Sequence, residues 1–331
     1  MGDAAFDAVP PARREAVAAA LADTFAAAPI RAAALSGGAS GALVFRIEAG
    51  GRPYLLRAEG PHSPLRNPHQ YASMRIASEA AIAPRILHLD AAAGIVITDF
   101  IEQRPLSDHP GGRRGLVEGL AALLRRLQAT PIFPAFSDYA DLVARLFAHV
   151  RRTELFADGL LDPHAARLET LQASHPADPA QAVSAHNDVN PRNVLFDGER
   201  LWLIDWESAY RNDPLVDVAI ALDNFAATPE LEGVLLAAWH GCAPDEALRE
   251  RLAAVRALTR LYYAGVLLSA SATLPRTHPD TDLAAPSAAE FLAAIRSGRL
   301  KAGTPDSVHA AGKVYLASFL SGAAVPALDA I

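Results

Sequence analysis

The stretch that decides the fold is His186-Asn187-Asp188-Val189-Asn190-Pro191-Arg192-Asn193, and Asp205-Trp206-Glu207 begins twelve residues after its last asparagine. Two short apolar runs lie between these segments, on either side of the turn signal Asp197-Gly198. Apolar runs separated by Asp-Gly are typical of a β-hairpin. If residues 198–200 form a three-residue loop, antiparallel pairing sets Asn193 opposite Asp205, with Cα atoms about 4.5–5.5 Å apart. We therefore expect two oxygen-bearing side chains to converge at the open end of this hairpin.

The residue types in this pattern suit phosphoryl transfer to a hydroxyl group. In an H-x-D-x-x-x-x-N arrangement the aspartate orients or accepts the proton of the attacking hydroxyl, and the asparagine offers a carbonyl oxygen to Mg²⁺. The pattern thus predicts Asp188 as the catalytic base, and Asn193 and Asp205 as catalytic residues that bind Mg²⁺. A chance match to this motif is expected on the order of once per hundred such chains. His186 and Asn187 are interpreted as residues that shape the loop.

A turn rich in small residues precedes this motif and lies between two β-like runs. Small residues let backbone N–H groups approach phosphate oxygens, so this turn is a candidate contact for the phosphates of a nucleotide. The candidate residues are Ser36, Gly37, Gly38 and Ser40.

The next β-like run carries a candidate cation for the same phosphates, Arg57. A kinase pattern places there a basic residue that contacts the α- and β-phosphates and pairs with a helix glutamate. The chain has only two lysines, Lys301 and Lys313, so arginine is the cation available in this half of the chain. We expect Glu79, on a helix predicted over about 67–82, to be its partner. The alternative for Glu79 is a solvent-exposed helix carboxylate.

Taken in order, these motifs resemble the aminoglycoside phosphotransferase and choline/ethanolamine kinase group, which are small-molecule kinases with a protein-kinase-like fold. The resemblance spans roughly residues 35–225 and also includes Ala83-Pro84-Arg85-Ile86-Leu87 and Asp99-Phe100-Ile101-Glu102. It is closer to choline kinases, because Asn212 and Asp217 follow the Asp205 segment at a similar spacing. The resemblance implies ATP and Mg²⁺ as cofactors, and it implies that the linker residues Phe100 and Ile101 present backbone groups to adenine.

The fold class that follows is α+β, a bilobal protein-kinase-like fold. Residues 1–101 are expected to form a nucleotide-binding lobe, with a five-stranded antiparallel sheet and a helix, and residues 102–331 a mostly α-helical catalytic and substrate-binding lobe. Apolar alternation predicts strands near 31–35, 42–48, 53–58, 86–89 and 94–99. Apolar residues at three- and four-residue intervals predict helices over 116–127, 139–152, 164–173, 215–225, 246–268, 288–296 and 309–320.

The phosphate acceptor is expected to be a small-molecule alcohol, with choline or a related amino alcohol as the leading candidate. Glu207, Asp217 and Trp206 are candidates for contact with it. The alternatives are a cap or a salt bridge that fixes the loop for Glu207, an N-cap for Asp217 and core packing for Trp206.

Two other functions stay open at this stage, and one is disfavoured. An antibiotic kinase, acting on an aminoglycoside or a macrolide, would use the same chemistry. A nucleotide-binding regulator that has lost catalysis is suggested only by Arg57 in the lysine position. Protein-kinase activity is disfavoured because Asp205 is followed by Trp-Glu and no Ala-Pro-Glu closes an activation segment.

The amino-acid composition limits the kinds of partner and compartment that we expect for this protein. The formal net charge is −7 and Lys and Arg form no block, which argues against a nucleic-acid partner and is compatible with a cationic substrate. The single cysteine, Cys242, excludes an internal disulfide and favours a reducing compartment. The N-terminal sequence lacks the apolar segment of a signal peptide, and no apolar run approaches the about 20 residues of a membrane span. We expect a cytoplasmic protein without a membrane partner; the sequence does not predict the oligomeric state.

Overall fold

A computed structural model describes residues 6, 9–26, 28–35, 42–60, 67–176, 178–274 and 278–328 of the chain. The predicted phosphate-contacting turn, with Ser36, Gly37, Gly38 and Ser40, lies outside these described residues.

The N-terminal part is an antiparallel sheet of five strands with the order β1-β2-β3-β5-β4. The strands are β1 Ile30–Leu35, β2 Leu43–Ala49, β3 Arg52–Ala58, β4 Ile86–Asp90 and β5 Ile95–Asp99. This confirms the five predicted strands. Helix α1 (Pro11–Phe25) precedes the sheet, and helix α2 (Gln70–Glu79) lies between β3 and β4.

A first hydrophobic core lies between α1 and the sheet. Val17 and Leu21 of α1 are buried in the same cluster as Ile47, Leu56 and Ile97 of the sheet. Side chains along a strand point alternately to opposite faces. In β3 the buried positions are Tyr54, Leu56 and Ala58, and the alternate position Arg57 therefore points away from this core.

The C-terminal part is mostly helical, as predicted. Its helices are α3 Gly112–Gln128, α4 Tyr139–Arg152, α5 Asp162–Ser174, α6 Pro214–Phe225, α7 Pro229–His240, α8 Glu246–Ala272, α9 Ala288–Arg296 and α10 Pro305–Ser321. Helix α7 was not predicted. A second, larger core joins these helices and also includes Ala77, Ile82 and Ala83, so the end of α2 and the segment after it pack on the helical part. No helix within the described residues is long and apolar enough to cross a membrane.

Four short strands position the functional motif: β6 Val183–Ala185, β7 Val194–Phe196, β8 Leu201–Leu203 and β9 Tyr210–Asn212. They form two antiparallel pairs, β6 with β9 and β7 with β8. The loop of residues 186–193, called the catalytic loop below, runs from β6 to β7. Residues 204–209 run from β8 to β9. Because each segment begins and ends at strands paired with those of the other, the two segments lie side by side.

Candidate active site

Hydrogen bonds join the catalytic loop to residues 204–209 along its length. Nε2 of His186 lies 2.9 Å from the carbonyl oxygen of Ile204, and Nδ2 of Asn187 donates to the carbonyl oxygen of Ser208 at 2.9 Å. A carbonyl oxygen only accepts, so Nε2 of His186 carries the hydrogen. Burial lowers the pKa of His186 to about 4, which keeps the ring neutral. The interpretation of His186 and Asn187 as loop-shaping residues is confirmed.

Asp217 holds the start of the catalytic loop from beneath. Its side chain is completely buried in α6, and its two carboxylate oxygens accept the backbone N–H groups of His186 at 2.8 Å and Asn187 at 2.7 Å. Burial raises the pKa of Asp217 to about 7, although these two donors oppose the shift. Direct contact of Asp217 with an acceptor is therefore excluded by its burial, which corrects that expectation. The N-cap alternative is also wrong, because Asp213 caps α6.

Asp188 is half-buried, and its carboxylate accepts hydrogen bonds from three side chains. Asn193 Nδ2 donates to its Oδ2 at 2.7 Å, Asn190 Nδ2 donates to its Oδ1 at 2.8 Å, and the hydroxyl of Tyr263 donates to Oδ1 at 2.7 Å. Burial raises the pKa of Asp188 to about 6; the three donors oppose the shift, and the charge of Asp205 adds to it. A carboxylate with a pKa near the working pH is suited to general-base catalysis.

The register of the β7–β8 hairpin differs by one residue from the prediction. Val194 pairs with Leu203, and the backbone N–H of Ile204 donates to the carbonyl of Asn193, so Asn193 lies opposite Ile204 and not Asp205. The reversal uses four residues, 197–200, because the carboxylate of Asp197 accepts the N–H groups of the two residues at 199 and 200 and closes a longer turn.

Asp205 nevertheless comes to the same place as Asn193. It has a left-handed backbone, with φ of 64°, which ends the strand and turns the chain into a short 3₁₀ turn over Trp206–Ser208. Non-glycine residues in this conformation cost of order 1–3 kcal/mol and cluster at functional sites. Asn193 bonds to Asp188 directly, and Asp205 is close enough for its charge to raise the pKa of Asp188.

The chemistry of Asn193 and Asp205 fits a magnesium ion. Both amide hydrogens of Asn193 are directed to Asp188, and its carbonyl oxygen accepts no hydrogen bond from the described part of the chain. The Asp205 side chain is 35% exposed. Mg²⁺ prefers oxygen ligands and is commonly held by one or two carboxylates together with substrate phosphates. Among the described residues no group of three His, Cys, Asp or Glu side chains forms a metal cluster.

Arg57 reaches this site from the sheet. Its Nη1 donates to Oδ1 of Asp205 at 2.8 Å, its Nη2 forms an ion pair with Glu207, and its Nε lies 3.7 Å from Oε1 of Glu59. The candidate cation thus faces the candidate metal ligand. Glu207 is placed against Arg57, which matches the salt-bridge alternative for this residue.

The expected partnership of Arg57 with Glu79 is wrong. Glu79 is exposed at the last position of α2, and no ion pair within the described residues joins it to Arg57. The first residue of α2, Gln70, is linked to Arg57 instead, through Glu59. Nε2 of Gln70 donates to Oε1 of Glu59 at 3.0 Å, and this same oxygen faces Arg57.

Trp206 belongs to the core of the helical part. It is 4% exposed, with its ring centroid 4.7 Å from that of His186 and 6.1 Å from that of Phe133. The core-packing alternative is therefore correct, and the expected contact with an acceptor is not.

The linker that contains Phe100 and Ile101 directly follows β5, and both side chains are half-buried. The guanidinium of Arg46 lies 4.8 Å above the ring of Phe100 and donates to Glu102 at 2.9 Å. At the far end of the linker, the N–H of Arg104 donates to the carbonyl of Phe196 at 2.7 Å. The linker thus joins the sheet to the hairpin that carries Asn193.

Sequence reasoning missed two residues that contact Asp188. Asn190 stands in the motif at a position where the pattern requires no particular residue. Tyr263 is 75 residues away along the chain, in an ordinary apolar helix pattern. No local sequence signal marks Tyr263, whereas an asparagine two residues after an aspartate is a recognisable turn former.

Comparison with known proteins shows the family of this chain. The model of the phosphotransferase enzyme family (APH) matches residues 31–255, more than half of the chain. The chain belongs to the phosphotransferase enzyme family. The match covers the sheet, the linker, the catalytic loop and the hairpin.

Solved structures show the same fold. A choline/ethanolamine kinase family protein from Mesorhizobium loti superposes with a TM-score of 0.62 at 19% identity, over 93% of this chain and 95% of that one. A spectinomycin phosphotransferase, solved in complex with ADP and spectinomycin, superposes with a TM-score of 0.57 at 15% identity, over 77% of this chain and 88% of that one.

Similarity to curated sequences is local. Protein LicA of Haemophilus influenzae is 41% identical over 51 residues, which are 15% of this chain and 19% of that protein. An uncharacterized protein of Metamycoplasma hominis is 33% identical over 70 residues and is matched over 14% of its length. The chain thus spans less than a fifth of these curated relatives.

Proposed function

We propose that this protein is a kinase that transfers the γ-phosphate of ATP to a hydroxyl of a small molecule, with Asp188 as the base. The observation that supports this most strongly is the placement of Asp188. Its half-buried carboxylate bonds to Asn193 and lies near Asp205, and Arg57 reaches Asp205 from the sheet. Base, oxygen ligands and cation therefore meet where the sheet faces the helical part.

In the proposed reaction the acceptor hydroxyl donates a hydrogen bond to Asp188. The O–H proton passes to this carboxylate as the hydroxyl oxygen bonds to the γ-phosphorus, the bond from that phosphorus to the bridging oxygen breaks, and ADP leaves. When bound between Asn193 and Asp205, Mg²⁺ would neutralise phosphate charge. Arg57 and the backbone of the 36–41 turn are proposed to contact the phosphates, and the backbone at Phe100 and Ile101 to contact adenine.

Choline or a related amino alcohol is our leading proposal for the acceptor. It is supported by the resemblance of the Asp205–Asp217 segment to choline kinases and by the fold shared with a choline/ethanolamine kinase family protein. An antibiotic is the second candidate, because a spectinomycin phosphotransferase shares the fold at nearly the same TM-score. We also propose that the protein is located in the reducing cytoplasm, where ATP is available. The boundary between the two lobes is proposed to lie between residues 101 and 102.

The test is a panel of alcohols and antibiotics in an assay that couples ADP release to NADH oxidation. The expected result is acceptor-dependent ADP formation that Asp188→Asn reduces by about 10²–10⁴, the usual contribution of a general base. Binding of ADP by Asp188→Asn, followed calorimetrically, should match the wild type. Asp138→Asn is a matched control, because Asp138 caps α4 and asparagine caps helices as well as aspartate does. Full turnover by Asp188→Asn would refute the assignment of the base.

A catalytically inactive nucleotide-binding regulator is the remaining alternative. Its only support is the arginine at position 57. Nucleotide binding without phosphorylation of any hydroxyl in the panel, and without slow Mg²⁺-dependent ATP hydrolysis, would favour it over the kinase.

A further inference from the structure

Tyr263 contributes a hydroxyl to the base from a distant part of the chain. It lies in the middle of α8, is 7% exposed, and its hydroxyl oxygen is 2.7 Å from Oδ1 of Asp188. An ionised carboxylate only accepts hydrogen bonds, so the phenol donates. Within the described residues, the other hydrogen bonds that this carboxylate accepts come from Asn190 and Asn193 of the catalytic loop itself.

The two oxygens of Asp188 are unequally engaged. Each carboxylate oxygen offers about two acceptor sites. Oδ1 accepts from Asn190 at 2.8 Å and from Tyr263 at 2.7 Å, so both of its sites are taken. Oδ2 accepts from Asn193 at 2.7 Å, and its second site is not taken by any described residue. One acceptor site of the base is thus left for an incoming hydroxyl, and it is on Oδ2.

We propose that Tyr263 is a positioning residue, which together with Asn190 clamps Oδ1 of Asp188 so that Oδ2 faces the acceptor hydroxyl. This deepens the proposed kinase function and rests on it. Because a carboxylate can rotate about its Cβ–Cγ bond, anchoring one oxygen with two donors fixes the direction of the other.

Tyr263 is itself held rigidly enough for this role. Its ring centroid lies 5.4 Å from that of Tyr262 and 6.0 Å from that of Tyr315. The hydroxyl of Tyr315 takes no part in this ring packing, since it donates to the carbonyl of Pro326 at 3.0 Å. A tyrosine has two side-chain torsions, and packing of its ring on neighbouring rings restricts both.

The kinetic test compares Tyr263→Phe with Tyr315→Phe. The second variant also removes a buried phenol hydroxyl and its hydrogen bond, but that bond does not involve Asp188. For Tyr263→Phe, kcat should fall roughly 10- to 100-fold, the rate equivalent of a hydrogen bond to a charged group, with KM for acceptor and ATP unchanged. Tyr315→Phe should keep the wild-type kcat. If the Tyr263 hydroxyl only occupied the place of the acceptor, Tyr263→Phe would lower KM for the acceptor and leave kcat intact, which would overturn the proposal.

A second measurement does not depend on turnover. The chain has six asparagines, so selective ¹⁵N-asparagine labelling gives six side-chain amide pairs in an NMR spectrum. The amides of Asn190 and Asn193 should shift in Tyr263→Phe and keep their positions in Tyr315→Phe. Unchanged amide chemical shifts in Tyr263→Phe would refute the proposal that Tyr263 helps to hold Oδ1 of Asp188. If the amides shift in Tyr263→Phe but the wild-type protein phosphorylates no hydroxyl, the kinase function would be refuted and Tyr263 would still be the anchor of the carboxylate.

Discussion

Arg57 and Asp205 connect the sheet to the helical part: Nη1 of Arg57 on β3 lies 2.8 Å from Oδ1 of Asp205, just after β8. The second arm of the guanidinium forms an ion pair with Glu207. A planar guanidinium can serve two acceptors in this way, whereas an ammonium group is a point charge. Arg57, which stands where the kinase pattern has lysine, can therefore pair with the carboxylates of Asp205 and Glu207 at the same time.

Arg57→Ala should weaken ADP binding about tenfold or more, because a charge-assisted hydrogen bond contributes about 1.5–3 kcal/mol. Isothermal titration calorimetry with MgADP measures the change. Arg52→Ala is the matched control, since Arg52 is an exposed arginine at the start of the same strand. Equal affinity in Arg57→Ala and Arg52→Ala would show that Arg57 does not contact the phosphates.

Asp205→Ala should remove the dependence of ADP binding on Mg²⁺. Wild-type affinity should rise when Mg²⁺ is added, because in our proposal the ion would link the nucleotide to Asn193 and Asp205. The variant should bind ADP equally with Mg²⁺ and with EDTA. Glu207→Gln is the control. It weakens the ion pair with Arg57 but keeps the proposed metal ligands, so its ADP binding should still respond to Mg²⁺. A retained response to Mg²⁺ in Asp205→Ala would contradict the ligand assignment.

Asp217→Asn should lower the free energy of unfolding by about 2–3 kcal/mol, because one amide cannot accept both N–H groups that the carboxylate accepts. The pKa of Asp217 is raised to about 7 from its ordinary value of 3.8. The folded state therefore binds the proton more tightly, so this residue stabilises most below pH 4 and loses stabilisation as the pH rises to 7.

Urea denaturation of wild type and Asp217→Asn between pH 4.5 and pH 7.5 tests the sign. The difference in unfolding free energy between the two proteins should shrink as the pH rises. A difference that stays constant, or grows with pH, would mean that the carboxylate is already ionised in the fold at pH 4.5.

Gly198→Ala should lower the free energy of unfolding by about 1–2 kcal/mol or more. Gly198 has φ of +103°, and an added Cβ would lie 2.9 Å from Cζ of Arg104. Gly51→Ala is the control, because Gly51 also has positive φ (+75°) but nothing within 4 Å of its Cβ position. Urea denaturation should give the larger loss for Gly198→Ala, because its φ lies farther from the left-handed region that L residues can adopt, whereas the exposed end of Arg104 can move aside. Equal losses in the two variants would contradict this.

The sheet and most helices followed from the sequence because each depends on local periodicity. Helix α7 carried usable signals, with Thr228 as N-cap, Pro229 at the first position and Gly241 after the end. Its apolar residues are spread around the helix, however, and periodicity alone did not indicate it.

The hairpin register and the partner of Arg57 could not be predicted, for different physical reasons. The register turned on a single side chain, Asp197, whose carboxylate closes a four-residue turn where three residues were assumed. Two partners of Arg57, Asp205 and Glu207, lie 148 and 150 residues further along the chain, so their approach depends on tertiary packing that sequence spacing does not encode. Tyr263 lies on a helix whose approach to Asp188 depends on tertiary packing.

The hydrogen bond from Arg104 to Phe196 makes the last residue of the linker part of the hairpin that bears Asn193. Along the chain, only the four residues 100–103 therefore separate the end of β5 from this hydrogen bond. We expect that stiffening these four residues would slow nucleotide release more than phosphoryl transfer, because the ion pair of Arg57 with Asp205 joins the parts of the chain on either side of them.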